Sequence, residues 1–105
     1  SNYMADKEYT YRTIADGTKV VTTAGTPVAL VASSTKCRMV EIQAKPENLD
    51  VVVVGASTVV ASAGTRRGIA LAPNQSVQLR IDDLADLFLD SVVSGEGVSY
   101  VYFND

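Results

Sequence analysis

The chain has 105 residues, 47% apolar and 20% charged, with no histidine, no tryptophan and a single cysteine. That is one domain, able to bury about 60 to 65% of the surface its unfolded chain exposes and too hydrophobic to stay disordered. A net charge of -3 carried with scattered basic residues leaves no footprint for a phosphate backbone, so nucleic acid is not an expected partner.

No apolar run approaches the roughly 18 residues of a membrane span and no secretory signal is visible, so a membrane is not an expected partner either. Cys37 has no second cysteine to pair with, and the chain reads as made in a reducing cytoplasm. Residues 1–16 are expected to form an N-terminal arm and 17–105 one domain. Ser1, Asn2 and Tyr3 precede Met4 and read as an expression remnant, with Met4 as the natural start.

Turn formers punctuate the chain at Asp16-Gly17, Gly25, Ser33-Ser34, Pro46-Glu47-Asn48, Gly55, Gly64, Pro73-Asn74, Asp82-Asp83 and Gly95-Glu96-Gly97, roughly every 8 to 12 residues. The stretches between them are rich in Val, Thr, Ile and Tyr and predict strands at 18–24, 27–32, 37–45, 51–54, 67–71, 76–81, 87–92 and 98–103. Short strands at this rhythm predict an all-β fold. The expected architecture is an antiparallel β-sandwich of about eight strands, with a jelly roll as its candidate topology.

In 37–45, Val40, Ile42 and Ala44 oppose Met39, Glu41, Gln43 and Lys45; in 76–81, Val77, Leu79 and Ile81 oppose Gln78 and Arg80. Such alternation gives a strand one dry face. Residues 82–92 place Leu84, Leu87 and Phe88 at helical spacing, but "LFLDSVV" is also rich in strand formers. The preferred reading is a tight turn at 82–86 followed by a strand.

"DVVVVGAS", residues 50–57, is apolar on both faces. Parallel strands covered on both sides need long crossovers, for which the chain has no room. Val51 and Val53 are therefore expected to face the core, and Val52 and Val54 to face outward. The last strand repeats the problem, with Val98, Tyr100 and Tyr102 on one face and Val101 and Phe103 on the other. Either a second copy or another protein covers the outward residues, or the N-terminal segment "YTYRTI" folds over them.

Catalysis is not expected. Without histidine there is no Ser-His-Asp or Cys-His arrangement and no usual zinc cluster, and no phosphate-binding or nucleophile motif occurs. No cofactor is implied. Asp82, Asp83, Asp86 and Asp90 do not match a calcium-loop spacing, so no metal site is assigned and they read as capping and solubilising groups; "GEG" at 95–97 reads as a hairpin turn. "NQS" at 74–76 is read as a turn after Pro73. Arg66 and Arg67 sit on a predicted loop, where they either meet carboxylates of a neighbour or serve as solvated charges breaking up the apolar stretch 59–71. Tyr9 and Tyr11 belong either to an arm docked on a neighbour or to a sugar-stacking site.

All nine basic residues lie at or before Arg80, alongside six acidic ones; six acidic residues follow with no base, a split of +3 and -6. This favours contact between neighbouring copies, or else is an ordinary solvated surface.

The stretch "GTRRGIALAPNQSVQLRIDDLADLFLDSVVSGEGVSYVYF", 64–103, with "AGTPVALV" and "CRMVEIQAKPENLDVVVVG" upstream, resembles small structural proteins of tailed bacteriophages and prophages. The likeness is a pattern of strands and turns covering about 20–103, and Asn74 stands where glycine is expected more often. It implies a β-sandwich of the virion that decorates or cements the capsid or belongs to the tail, made in the bacterial host cytoplasm and bound to a capsid or other virion protein, and the doubly apolar strands add the expectation of an oligomer. Val52, Val54, Val101, Phe103, Arg66, Arg67, Tyr9 and Tyr11 are the candidate interface residues. The alternative is a receptor- or carbohydrate-binding module of a tail fibre; a stand-alone β-domain in a bacterial cytoplasmic complex is a third reading.

Overall fold

In the computed structural model, which describes residues 10–105, the period-two segments are strands: β1 Thr13–Val20, β2 Val28–Ala29, β3 Met39–Ala44, β4 Val52–Gly55, β5 Ile69–Leu71, β6 Ser76–Leu79, β7 Phe88–Ser91 and β8 Gly97–Asn104. They form two four-stranded sheets, β1-β8-β3-β6 and β2-β7-β4-β5, with every pairing antiparallel. First pairs with last, second with seventh, third with sixth and fourth with fifth. That is a hairpin ribbon folded at β4–β5 and rolled up, the jelly roll.

The inner faces follow the alternation read from the sequence. Val40, Ile42 and Ala44 of β3 and Val98 and Tyr100 of β8 pack against Val52 and Val54 of β4, Leu71 of β5 and Leu89 of β7. Val21, Leu30, Cys37, Leu84 and Leu87, from the connections, close the ends. The Cys37 thiol lies against the Ile81 carbonyl, and burial, with Asp83 and Asp82 nearby, raises its pKa. Tyr100 leans across the sheet onto β1, where a Cβ on Gly17 would come within 2.5 Å of its ring. Gly17 is glycine because the tyrosine occupies that space. Burial, followed by Tyr102 and Asp16, raises the Tyr100 pKa.

Several sequence expectations are corrected. β1 begins at Thr13, inside the segment read as an arm, and Asp16-Gly17 is strand rather than turn, because this glycine answers to packing and not to chain reversal. "GEG" does not close a hairpin: β7 and β8 belong to different sheets, so the turn carries the chain across the sandwich. The turn-then-strand reading of 82–92 holds, with a single 3-10 turn at Leu84–Asp86 capped by Asp83 and β7 following it. Asn74 adopts φ 75° in the β5–β6 turn, a left-handed conformation that asparagine tolerates as glycine does.

Candidate functional site

The valine run is the point of entry. Val52 and Val54 lie fully buried in the core between the sheets, and Val53 points the opposite way yet is also fully buried. The expected parity was inverted, since four consecutive valines carry no periodicity to fix it. Outward Val53 is covered by its own chain. Residues 56–67, between β4 and β5, fold back over the sheet and set Val59 and Ala61 on Val53, beside Ala70, Phe88 and Val51. Val52 and Val54 are thus withdrawn as interface residues, and neither a second copy nor the N-terminal segment is needed over β4.

Polar atoms hold this roof in place. Asp90, buried beside Val53, accepts the Ala61 N–H on Oδ2 at 2.8 Å and the Gly25 and Ser91 N–H groups on Oδ1 at 2.8 and 2.9 Å. Three backbone donors thereby satisfy one buried carboxylate. Arg66 donates from Nε to the Ala61 carbonyl at 3.0 Å, and a Val60–Arg67 bridge closes the base of the projecting loop. Gly68, at φ 114°, lets the chain return under the roof, since a Cβ there would lie 2.7 Å from the Val54 carbonyl oxygen. Both arginines remain exposed at the outer end of the loop.

Among the described residues, the opposite sheet is open. Registers across β1, β8 and β3 place Ile14, Phe103 and Met39 in one outer row, Asp16, Val101 and Glu41 in the next, and Thr18, Ser99 and Gln43 in a third. Small or short side chains on β8 make a floor, and β1 and β3 supply the walls. The result is a trough of about 640 Å³ lined by Asp16, Thr18, Glu41, Gln43, Ser99 and Val101. Glu41 accepts from Gln78 Nε2 at 2.9 Å, and Gln43 Nε2 donates to the Asn74 backbone and side-chain oxygens, so the β3 wall is positioned. Adjacent strands are about 4.8 Å apart, which sets Asp16 and Glu41 roughly 10 Å from each other between Cα atoms. Beyond the first row, Tyr11 stacks on Phe103 with ring centroids 5.5 Å apart.

Of the sequence candidates, Val101, Phe103 and Tyr11 come together on this open face, half-buried, while Arg66 and Arg67 sit on the far side of the sandwich. Tyr9 lies outside the described residues. Sequence reasoning passed over Asp16, Thr18 and Ser99. Glu41 and Gln43 had been placed outward on their strand, but nothing in one strand announces its neighbours' register.

The late acidic residues are largely committed within the chain. Asp83 accepts from the Ser34 hydroxyl and from the Thr35 and Ala85 N–H groups, which lower its pKa in that order. Buried Glu96 accepts from the Leu49 and Asp50 N–H groups, and Asp105 pairs with Arg38. Among the described residues no group of three or more His, Cys, Asp or Glu is placed to hold a metal, and no helix is long and apolar enough to cross a membrane. Comparison with family models, curated proteins and solved structures finds no match to this chain.

Proposed function

We propose that the protein is a structural component of a tailed-phage or prophage virion, of the head decoration or cement type, that acts by binding protein surfaces without turnover. One observation carries the reading: among the described residues the chain roofs the outer face of one sheet and leaves the other open, with Ile14 65% exposed at its apolar end. Ile14, Phe103, Met39 and Val101 form dry contact area, and the charged groups around them fix orientation. The resemblance of 64–103 to phage structural proteins supplies the setting, and jelly rolls serve widely in viral capsids, an argument by analogy. A protein that binds only the assembled shell stabilises that shell by mass action. The test is to purify particles from the genome that encodes the chain and probe them with an antibody to it. Regular surface labelling supports the reading; particles that lack the chain overturn it.

A second reading, a carbohydrate-binding module of a tail fibre, draws on the same face. Carboxylate, amide and hydroxyl groups over a valine floor suit the hydroxyls and the C–H face of a sugar, and jelly rolls also serve as lectins. Titration against an oligosaccharide panel tests it, with binding lost in Gln43→Ala.

A further inference from the structure

We propose that the acidic trough on the β1-β8-β3 face receives the Arg66–Arg67 loop of a second copy of this chain. The inference rests on reading the protein as an oligomeric binding module, and names the contact through which it assembles.

Charge complementarity points to this occupant. Among the described residues, the trough is lined by two carboxylates and no basic side chain. The loop presents two adjacent guanidinium groups, and no acidic residue occurs between Asp50 and Asp82 to neutralise them. Asp90, buried beneath the loop, is already engaged by backbone donors. Holding the Arg66 Nε on the Ala61 carbonyl restrains that side chain while leaving its terminal nitrogens to meet a carboxylate side-on. Every residue from 62 to 69 is exposed, so the tip stands clear of the body.

Placement excludes an internal contact. The loop lies on the outer side of β2-β7-β4-β5 and the trough on the outer side of β1-β8-β3-β6, on opposite flanks of the sandwich. One copy's loop reaches only another copy's trough. A contact between two different surfaces is heterologous, so it repeats head to tail and yields a ring if the rotation closes or a stack if it does not.

The experiment pairs two charge reversals. Asp16→Lys/Glu41→Lys keeps the arginines and reverses the trough; Arg66→Glu/Arg67→Glu keeps the trough and reverses the loop. Sedimentation from about 1 µM to 1 mM is expected to show concentration-dependent association of the wild type, at least about tenfold weaker at roughly 500 mM than at 50 mM salt. Each variant alone is expected to be monomeric, and an equimolar mixture to associate again, because each then offers what the other lacks. Should a lysine variant unfold on melting analysis, Asp16→Asn/Glu41→Gln removes the charge without changing shape. A wild type that stays monomeric at about 1 mM in low salt overturns the proposal. So does an oligomer indifferent to both reversals, one dissolved by Ile14→Ser instead, or a monomer whose trough binds an oligosaccharide. Failure here with the chain present on purified particles removes only the stack; association here with the chain missing from particles removes only the virion reading.

Discussion

Asp90 and Ala61 are joined by a 2.8 Å hydrogen bond, the N–H of Ala61 donating to Oδ2, and through it the roof over Val53 is tied to β7. The same carboxylate holds Gly25 of the β1–β2 connection, so two loops and a strand share one buried acceptor.

Replacing Asp90 with alanine is expected to leave three backbone N–H groups without this acceptor, for a loss of about 3 kcal/mol in urea unfolding. Asp90→Asn turns one oxygen into a donor facing a donor and is expected to be nearly as damaging. A change under about 1 kcal/mol in both would mean that water replaces the carboxylate and the roof is not tied as described.

Val52→Thr and Val54→Thr keep shape while placing a hydroxyl in a dry core, where both residues are fully buried. Each is expected to cost about 1 to 3 kcal/mol in thermal or chemical unfolding and to leave self-association of the folded fraction unchanged. Weakened association with undiminished stability would restore the outward orientation that their burial denies.

Two loop glycines separate close packing from mere exposure. Gly68→Ala forces a Cβ to 2.7 Å from the Val54 oxygen and 2.8 Å from Val53 Cγ1, at positive φ, whereas nothing lies within 4 Å of a Cβ on Gly64. The first change is expected to destabilise by about 2 kcal/mol or more and to open 56–67 to protease, the second to stay within about 0.5 kcal/mol. Equal effects would contradict the close return of the chain at Gly68.

Asp83 supplies the pH dependence. The Ser34 hydroxyl and the Thr35 and Ala85 N–H groups hold its carboxyl below the ordinary value of 3.8. A native pKa below the unfolded one means that the contribution is complete above the unfolded value and fades as pH falls through the native one. Wild type is therefore expected to lose stability more steeply than Asp83→Asn below about pH 4, measured as melting temperature against pH. Parallel curves would show that Asp83 carries no part of the acid sensitivity.

Much of this architecture was readable beforehand. The alternation of Val40, Ile42 and Ala44 and of Val77, Leu79 and Ile81 placed two strands with the correct face inward, and the turn formers separated all eight segments. What failed shares one cause: Val51 to Val54 have apolar side chains on both faces, so parity waits on pairing partners far away in sequence. The roof was half visible, because Val59 and Ala61 lie at alternate positions in a segment bounded by Gly55 and Gly68, but that segment reads as loop. The trough is hidden in the sequence because Asp16-Gly17 reads as a turn, whereas the strand role of Asp16 depends on its pairing with Val101, eighty-five residues later. The late aspartates read as capping or solvated groups, and Asp83 does cap the 3-10 turn, whereas the burial of Asp90 and Glu96 against backbone donors is not legible in the sequence.

The turn from β7 to β8 fastens three crossings at once. Val21 donates to the Glu96 carbonyl, Glu96 accepts from Leu49 and Asp50, and Asn48 exchanges hydrogen bonds with both backbone groups of Gly97. Its partners are separated by most of the chain, so loop-closure entropy must be overcome before any of these bonds can form. A nascent chain still lacking Glu96 has its early strands synthesised but no clasp to hold them. Closure of the sandwich is therefore expected to wait for residues 96 and 97 and to be slow, because the contacts they complete are distant in sequence.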